Sequence, residues 1–285
     1  YCKIVIKNLL LLVLLSSLTL SCSESSTKSE HTDSNKDTLE NPSSDGTEEY
    51  RMITLPTPMQ IPALLRNTRT NYSKSVMFPI IKEEKSYFTS SVLMGMYLMD
   101  LAYASVNNDH QTARIYFDEC RRLGSDMGLG IKLNERLVER FDENIERPDS
   151  LGIIILEMYD MGHAYFIEQG KDGLGLLLVM GWYGEGMNLV FKKARGNDLL
   201  LFLHLIQQQR QYAENLVYGL NQFEIPEELE DEYAIIVKIN DTFNSMSIPT
   251  IYQLRTGQRN VSEIDQDKLR ELEALVEEFR NSISV

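Results

Sequence analysis

The stretch GLLLVMGWYGEGMNLVFKKA, residues 175–194, constrains the fold more than any other, because its glycines admit two incompatible architectures. A loop that cradles phosphate needs a strand, the order G-x-G-x-x-G and a following helix within a βαβ unit. Here the order is G-x-x-G-x-G, Trp182 and Tyr183 crowd the place of the phosphate, and no Lys-Ser/Thr pair follows. Read as a helix, the same stretch is regular. Leu174, Leu177, Gly181, Gly184, Asn188 and Phe191 recur every three or four residues, which puts Gly181 and Gly184 on one face. Each helix glycine costs about 1 kcal/mol relative to alanine. Close approach of another helix would offset that cost, and the face of the first long helix carrying Gly95 and Ala102 is the natural partner. Gly95, Gly181 and Gly184 are therefore read as a packing notch.

Two carboxylates interrupt otherwise apolar sequence. Asp100 stands in VLMGMYLMDLAYA, residues 92–104, and Glu185 stands in the glycine-bearing stretch. A buried carboxylate costs several kcal/mol unless it is paired or hydrogen-bonded. Partners are therefore expected among Tyr97, Tyr103, the Trp182 indole, Arg121 or a helix end. Two roles follow for Asp100, Tyr103, Trp182 and Glu185: a polar clamp that fixes helix register, or a polar pocket that takes a ligand.

From residue 83 onward the chain reads as helical segments separated by caps and stops. Helices are predicted near 86–106, 109–124, 132–146, 149–168, 172–194, 198–221, 227–244 and 263–281. Pro148 and Pro226 fall where helix starts tolerate proline. Ser262-x-x-Asp265 has the pattern of a capping box, and Leu269, Leu272, Val276 and Phe279 form one stripe beyond it. Short β-like runs at 153–156 and 234–239 lie inside helical patterns, so no sheet is expected. The fold class is all-α, a globular bundle of about eight helices. The alternative is a solenoid, because residues 108–124 resemble the second helix of a tetratricopeptide hairpin, although no 34-residue echo follows.

The N-terminal part has a different character. Lys3 and Lys7 precede an apolar run that ends at Ser21, the pattern of a secretory signal peptide over residues 1–21. Leu18-Thr19-Leu20-Ser21-Cys22 resembles a bacterial lipobox, with Thr19 and Leu20 in reversed places. That resemblance implies acylation of Cys22, and several acyl chains hold a protein stably on a membrane. With Cys2 in the leader and Cys22 lipidated, only Cys120 remains, which is expected to be a small core residue. No later segment is expected to span the bilayer. Residues 22–49 are polar, acidic and serine-rich, with Leu39 the single large aliphatic, and read as a disordered tether with a reach of about 30 Å. Residues 50–82, punctuated by Pro56, Pro58, Pro62 and Pro79, read as a strap across the surface of a helical domain at 83–285, with a short helix at 62–67.

Charge and motifs narrow the chemistry. The formal charge of −14 repels nucleic acid and anionic headgroups. No G-x-S-x-G elbow and no H-E-x-x-H motif is present. Glu157, Asp160 and His163 follow at spacings of three, but a di-iron bundle needs a second such motif on a facing helix. No metal, cofactor or catalytic residue is expected.

One family resemblance spans residues 61–247. Gly95, Tyr97, Asp100, Leu101, Tyr103 and Ala104 match a first-helix pattern A-L-N-L-G-x-Y-G-A-D-L-S-Y-A, and Arg140, Phe141, Asn144, Asp149, Ser150 and Leu151 match R-F-x-x-N-x-x-x-x-D-S-L. Gln111, Tyr116, Leu123 and Gly124 also fit, as do Gly181, Trp182, Glu185 and Gly186. On these residues the chain resembles a family of uncharacterised envelope lipoproteins from Gram-negative bacteria, with Leu93 replacing an asparagine and Leu98 a glycine. The resemblance implies an all-helical envelope lipoprotein and no transferable activity. Ser23 after Cys22 is similar to sorting signals for the outer membrane, on its periplasmic or surface face. The expected role is a non-enzymatic scaffold that binds an envelope protein partner; the alternatives are a small-ligand or hydrolytic domain built around Asp100 and Glu185, and a tetratricopeptide-like adaptor.

Overall fold

Two helices without a polar face organise this protein. The computed structural model describes residues 57, 59–66, 71–131, 135–195 and 198–284. The expected leader, the tether with Cys22 and the first part of the strap lie outside the described residues. Ten α-helices and no strand occur among the described residues: α1 (Gln60–Arg66), α2 (Tyr87–Val106), α3 (His110–Asp126), α4 (Glu135–Glu143), α5 (Pro148–Glu168), α6 (Asp172–Leu189), α7 (Leu199–Leu220), α8 (Glu230–Ser245), α9 (Ile251–Arg255) and α10 (Gln266–Ser284).

The helix starts follow capping chemistry. The side chains of Ser86, Asp109 and Asp198 accept hydrogen bonds from the amides of Thr89, Thr112 and Leu201, each satisfying an orphan donor of a first turn. Pro148 sits in the first turn of α5. Thr250 and Gln253 form a reciprocal capping box that starts α9, a short helix that hydrophobic periodicity does not reveal. At α10 the expected box shifts. Asp265, rather than Ser262, caps the helix by accepting from the amides of Asp267 and Lys268, while Asn260 and Glu263 form a box on the 3-10 turn before it.

Helix α2 is buried without a break from Ser90 to Val106, and α6 is buried from Leu177 to Leu189. A helix apolar all round has to be enclosed by others. Helices α3 and α5 pack on α2, while α5, α7 and α10 pack on α6. The central pair meets backbone to backbone. A Cβ on Gly95 would lie 1.9 Å from the Leu178 carbonyl oxygen, and one on Gly181 would lie 1.9 Å from that of Val92. The Ser91 hydroxyl donates to the Leu174 carbonyl at the start of the seam, and Gly186 meets the Met99 side chain further along. Contacts thus advance in the same sense along both helices, so α2 and α6 run parallel, joined by the long connection through α3, α4 and α5. Helix α10 runs the other way along α6, since Gly184 meets Phe279 whereas Lys192 pairs with Glu273 and Glu277.

Three expectations change. The solenoid alternative fails, because the closest pairing joins α2 to α6 across three intervening helices and leaves a central pair enclosed by neighbours. Gly181 and Gly184 do not share a partner. A three-residue step leaves them about 60° apart around the helix axis, enough for Gly181 to meet α2 and Gly184 to meet the Phe279 ring of α10. Residues Asp172–Ala194 do have the length and apolar character of a membrane span, but 94% of the most apolar window is buried inside the protein, as a core helix requires.

Candidate functional site, a polar seam beneath the strap

The strap is anchored in the core rather than merely laid over the surface. Met77, Phe78 and Ile81 are buried, while Pro79 and Lys82 are exposed, and residues 77–82 lie in no helix or strand. A segment outside helix and sheet leaves its backbone donors and acceptors to be met by something else. Here side chains of the helices meet them one after another.

The Asn71 carbonyl accepts from the Lys193 ammonium at 2.8 Å. The Ser73 amide donates to the Tyr103 hydroxyl at 3.4 Å, and the Tyr103 ring packs against Tyr72, centroids 5.2 Å apart. Tyr72 in turn donates to Asp109 at 2.8 Å, where Lys74 also binds. The Val76 carbonyl accepts from Asn188 at 2.8 Å and from the Arg280 guanidinium at 3.1 Å. The Phe78 amide donates to Asp100 Oδ2 at 2.7 Å, and its carbonyl accepts from the Tyr116 hydroxyl. The Ile81 amide donates to the Tyr97 hydroxyl at 2.7 Å. Finally, the Lys82 ammonium reaches Glu119 at 2.6 Å.

Both interrupting carboxylates belong to this seam. Glu185 is fully buried; Oε2 accepts from Arg280 Nε at 2.8 Å and Oε1 from Asn188 at 3.0 Å. Asp100 is fully buried as well, but its Oδ1 has no hydrogen-bond partner among the described residues, and the same holds for Asn188 Oδ1. Burial pushes the Asp100 carboxyl well above the usual carboxylate range, and the neighbouring Glu185 pushes it further in the same direction. Burial raises Glu185 to about 7, although Arg280 and Asn188 oppose the shift. Arg280 is paired with Glu185, so the state consistent with this geometry is an ionised Glu185 beside a protonated Asp100. Burial also raises Tyr97, Tyr103 and Tyr116, so these hydroxyls remain neutral donors and acceptors. At the seam's edge Asp109 falls to about 2, because hydrogen bonds from Lys74 and Tyr72 outweigh the opposing effect of burial.

The structure sorts the sequence-derived residues. Asp100, Tyr103 and Glu185 converge on the strap, while Trp182 does not join them. Its buried indole packs against Tyr159 on α5, centroids 6.0 Å apart, and its N–H finds no partner among the described residues. Arg121 reaches Asp118 at 3.8 Å and lies over the Phe117 ring, away from Asp100. Glu157 is bound by Arg140 at 2.5 and 3.0 Å, and His163 stacks on Tyr159. Among the described residues no group of three or more His, Cys, Asp or Glu side chains could hold a metal ion. Cys120 is a buried free thiol, and burial raises its pKa, the opposite of an activated nucleophile.

Arg280, Asn188, Tyr116 and Lys193 are seam residues whose role the sequence pattern does not single out. Asn188 lies three residues after Glu185 on the same helix face, a signal that was available. Arg280 sits among acids in EEFRNS, where nothing separates it from a solvated arginine. Lys193 lies in a π-helical turn, Val190–Ala194, that ends α6 and turns its ammonium onto the strap.

No protein-family model, curated protein or solved structure matches this chain. The role of the seam therefore rests on its own geometry.

Proposed function

We propose that this chain is a lipid-anchored envelope protein whose helical domain is a non-enzymatic scaffold working through contacts with protein partners. The observation that carries the scaffold half of this reading is the use made of Asp100 and Glu185. Both are fully buried, and their hydrogen bonds go to the strap backbone, Asn188 and Arg280. A catalytic or ligand-binding carboxylate needs access from solvent, and these have none. The polar seam moors to the domain core the segment that leads back to Cys22.

The anchor half rests on the L-T-L-S-C sequence, the acyl modification of Cys22 that it implies, and the resemblance to envelope lipoproteins. On this reading the protein sits at the outer membrane, with no nucleic-acid ligand. A small-ligand domain around Asp100 and Glu185 is the weaker reading because both carboxylates are fully buried and bound to the strap backbone, Asn188 or Arg280.

Two variants test the scaffold. Asp100→Asn and Glu185→Gln are expected to alter melting temperature while leaving unchanged whatever protein is recovered by crosslinking in intact cells. Loss of a bound small molecule from native mass spectra of folded variants would contradict it. Cys22→Ala tests the anchor, since an unprocessed precursor is expected and normal maturation counts against lipidation.

A further inference from the structure

The parallel course of α2 and α6 brings their first turns to the same end of the domain, where they flank an open cleft. Tyr87 and Phe88 from α2 form one wall, and the turn at residues 170–174 forms the other. Phe223, from the loop after α7, closes the base. Its ring packs against Gly173, where a Cβ would come within 2.7 Å of it, so the glycine lets the ring sit close. The cavity measures about 530 Å³, within the range of small-molecule sites. Tyr87 and Phe88 are 57% and 41% exposed, large aromatic side chains that the core does not use.

The charge around these rings is predominantly acidic, although Lys85 and Arg122 line an adjoining cleft that shares Tyr87. Glu224 and Glu228 line the cleft, Asp172 stands in the first turn of α6, and an adjoining cleft that shares Phe88 adds Glu227. The positive helix ends do not reverse this sign. The first turn of α2 is capped by Ser86, whose hydroxyl also binds Glu228, and α6 starts with its own aspartate. Lys171 is the cation within the cleft, and its ammonium lies 5.7 Å from the centroid of the Tyr87 ring. The protein thus shows with its own side chain which kind of group this wall attracts.

We propose that this cleft is a binding site for a small organic ammonium ion, held by the faces of Tyr87, Phe88 and Phe223 and by the field of Glu224 and Glu227. Ring faces and a diffuse negative field suit a large, weakly hydrated cation. A hard metal ion needs converging oxygen ligands, and no metal-binding group of His, Cys, Asp or Glu is present among the described residues. An anion would meet the surrounding carboxylates. Lys171 competes for the same ring, so the site is partly self-blocked.

Titration of the purified full chain with choline, monitored by ligand-observed NMR, tests this against two controls: 3,3-dimethylbutan-1-ol, the neutral isostere, and inorganic phosphate. Saturable choline binding at least ten-fold stronger than that of the isostere is expected. Tyr87→Ala and Phe88→Ala should each weaken it about three- to five-fold. Lys171→Gln should tighten it by removing the competing ammonium. Equal binding of choline and the isostere, preferential binding of phosphate, or choline binding unchanged in both alanine variants would overturn the proposal. Tyr87 is the more exposed ring, so Tyr87→Ala and Lys171→Gln keep the test decisive should Phe88→Ala fail to fold.

Discussion

Asp100 and Glu185 face one polar seam from two parallel helices, and Arg280 binds Glu185 while Asp100 holds the strap. Two fully buried carboxylates that share the Arg280 cation cannot both be ionised at low cost. Asp100 therefore works as a neutral acid whose Oδ2 still accepts from the Phe78 amide. Asp100→Asn keeps that acceptor and removes the ionisable group. At pH 7 this variant should unfold within about 1 kcal/mol of the parent, whereas Asp100→Ala, which leaves the Phe78 amide buried without a partner, should lose about 2–3 kcal/mol. Urea denaturation distinguishes the two.

The same pair sets a pH dependence. Burial raises both carboxyls above their unfolded values, Glu185 to about 7. A raised folded pKa gives stability that is complete below the unfolded value near 4.5 and is lost as pH rises through about 7. Melting temperature should therefore fall between pH 5 and pH 8: Glu185 contributes on the order of 2–3 kcal/mol, and Asp100, raised further, adds to the fall in the same direction. The fall should flatten in the Asp100→Asn, Glu185→Gln double variant. Below this window the sign reverses, because Asp109 is lowered to about 2 and its contribution is lost as it protonates. A melting temperature that rises from pH 5 to pH 8 would show that the pair is not raised.

Arg280 is the least replaceable polar residue of the seam. Arg280→Met removes the cation from fully buried Glu185 and one donor from the Val76 carbonyl. Breaking a buried pair in this way costs about 3–5 kcal/mol. Adding Glu185→Gln to Arg280→Met should recover part of the loss, and a thermodynamic cycle over the four proteins measures the coupling. A coupling near zero would mean that the pair does not form.

Glycine substitutions separate the packing contacts. Gly181→Ala and Gly95→Ala drive a methyl into the backbone of the opposing helix, which cannot yield without separating α2 from α6, so each is expected to cost more than 3 kcal/mol or prevent folding. Gly184→Ala meets only the Phe279 ring and should cost less, about 1–3 kcal/mol. Gly162→Ala in α5, where a Cβ makes ordinary contact with Leu129 at 3.9 Å, should stabilise by about 0.5–1 kcal/mol. Thermal denaturation of the four variants gives the order directly.

What the sequence discloses here depends on how far a feature reaches along the chain. The long helices of the main domain are legible from local caps, stops and apolar runs, as with Ser86 before α2 and Asp198 before α7, whereas the short α9 is not. The need for partners at Asp100 and Glu185 is legible too, since an acid in an apolar helix stands out locally. The identity of those partners is not. Arg280 meets Glu185 from a helix 95 positions later, and the Phe78 amide is a backbone donor that no side-chain pattern reports. Gly181 and Gly184 show the angular limit of the same logic: a shared face on a helical wheel spans enough arc to touch two different neighbours. The prolines make it legible that the strap carries no long helix, but its anchoring depends on polar side chains contributed by α2, α3, α6 and α10.

Side chains of the core hold the strap in place. Amide hydrogen exchange at Phe78 and Ile81 reads this most directly, because those two N–H groups donate to Asp100 and Tyr97. Protection comparable to that of α2, selectively reduced at Phe78 in Asp100→Ala and at Ile81 in Tyr97→Phe, is the result the mooring predicts. Exchange of both amides at the rate of an unstructured peptide in the parent protein would contradict it.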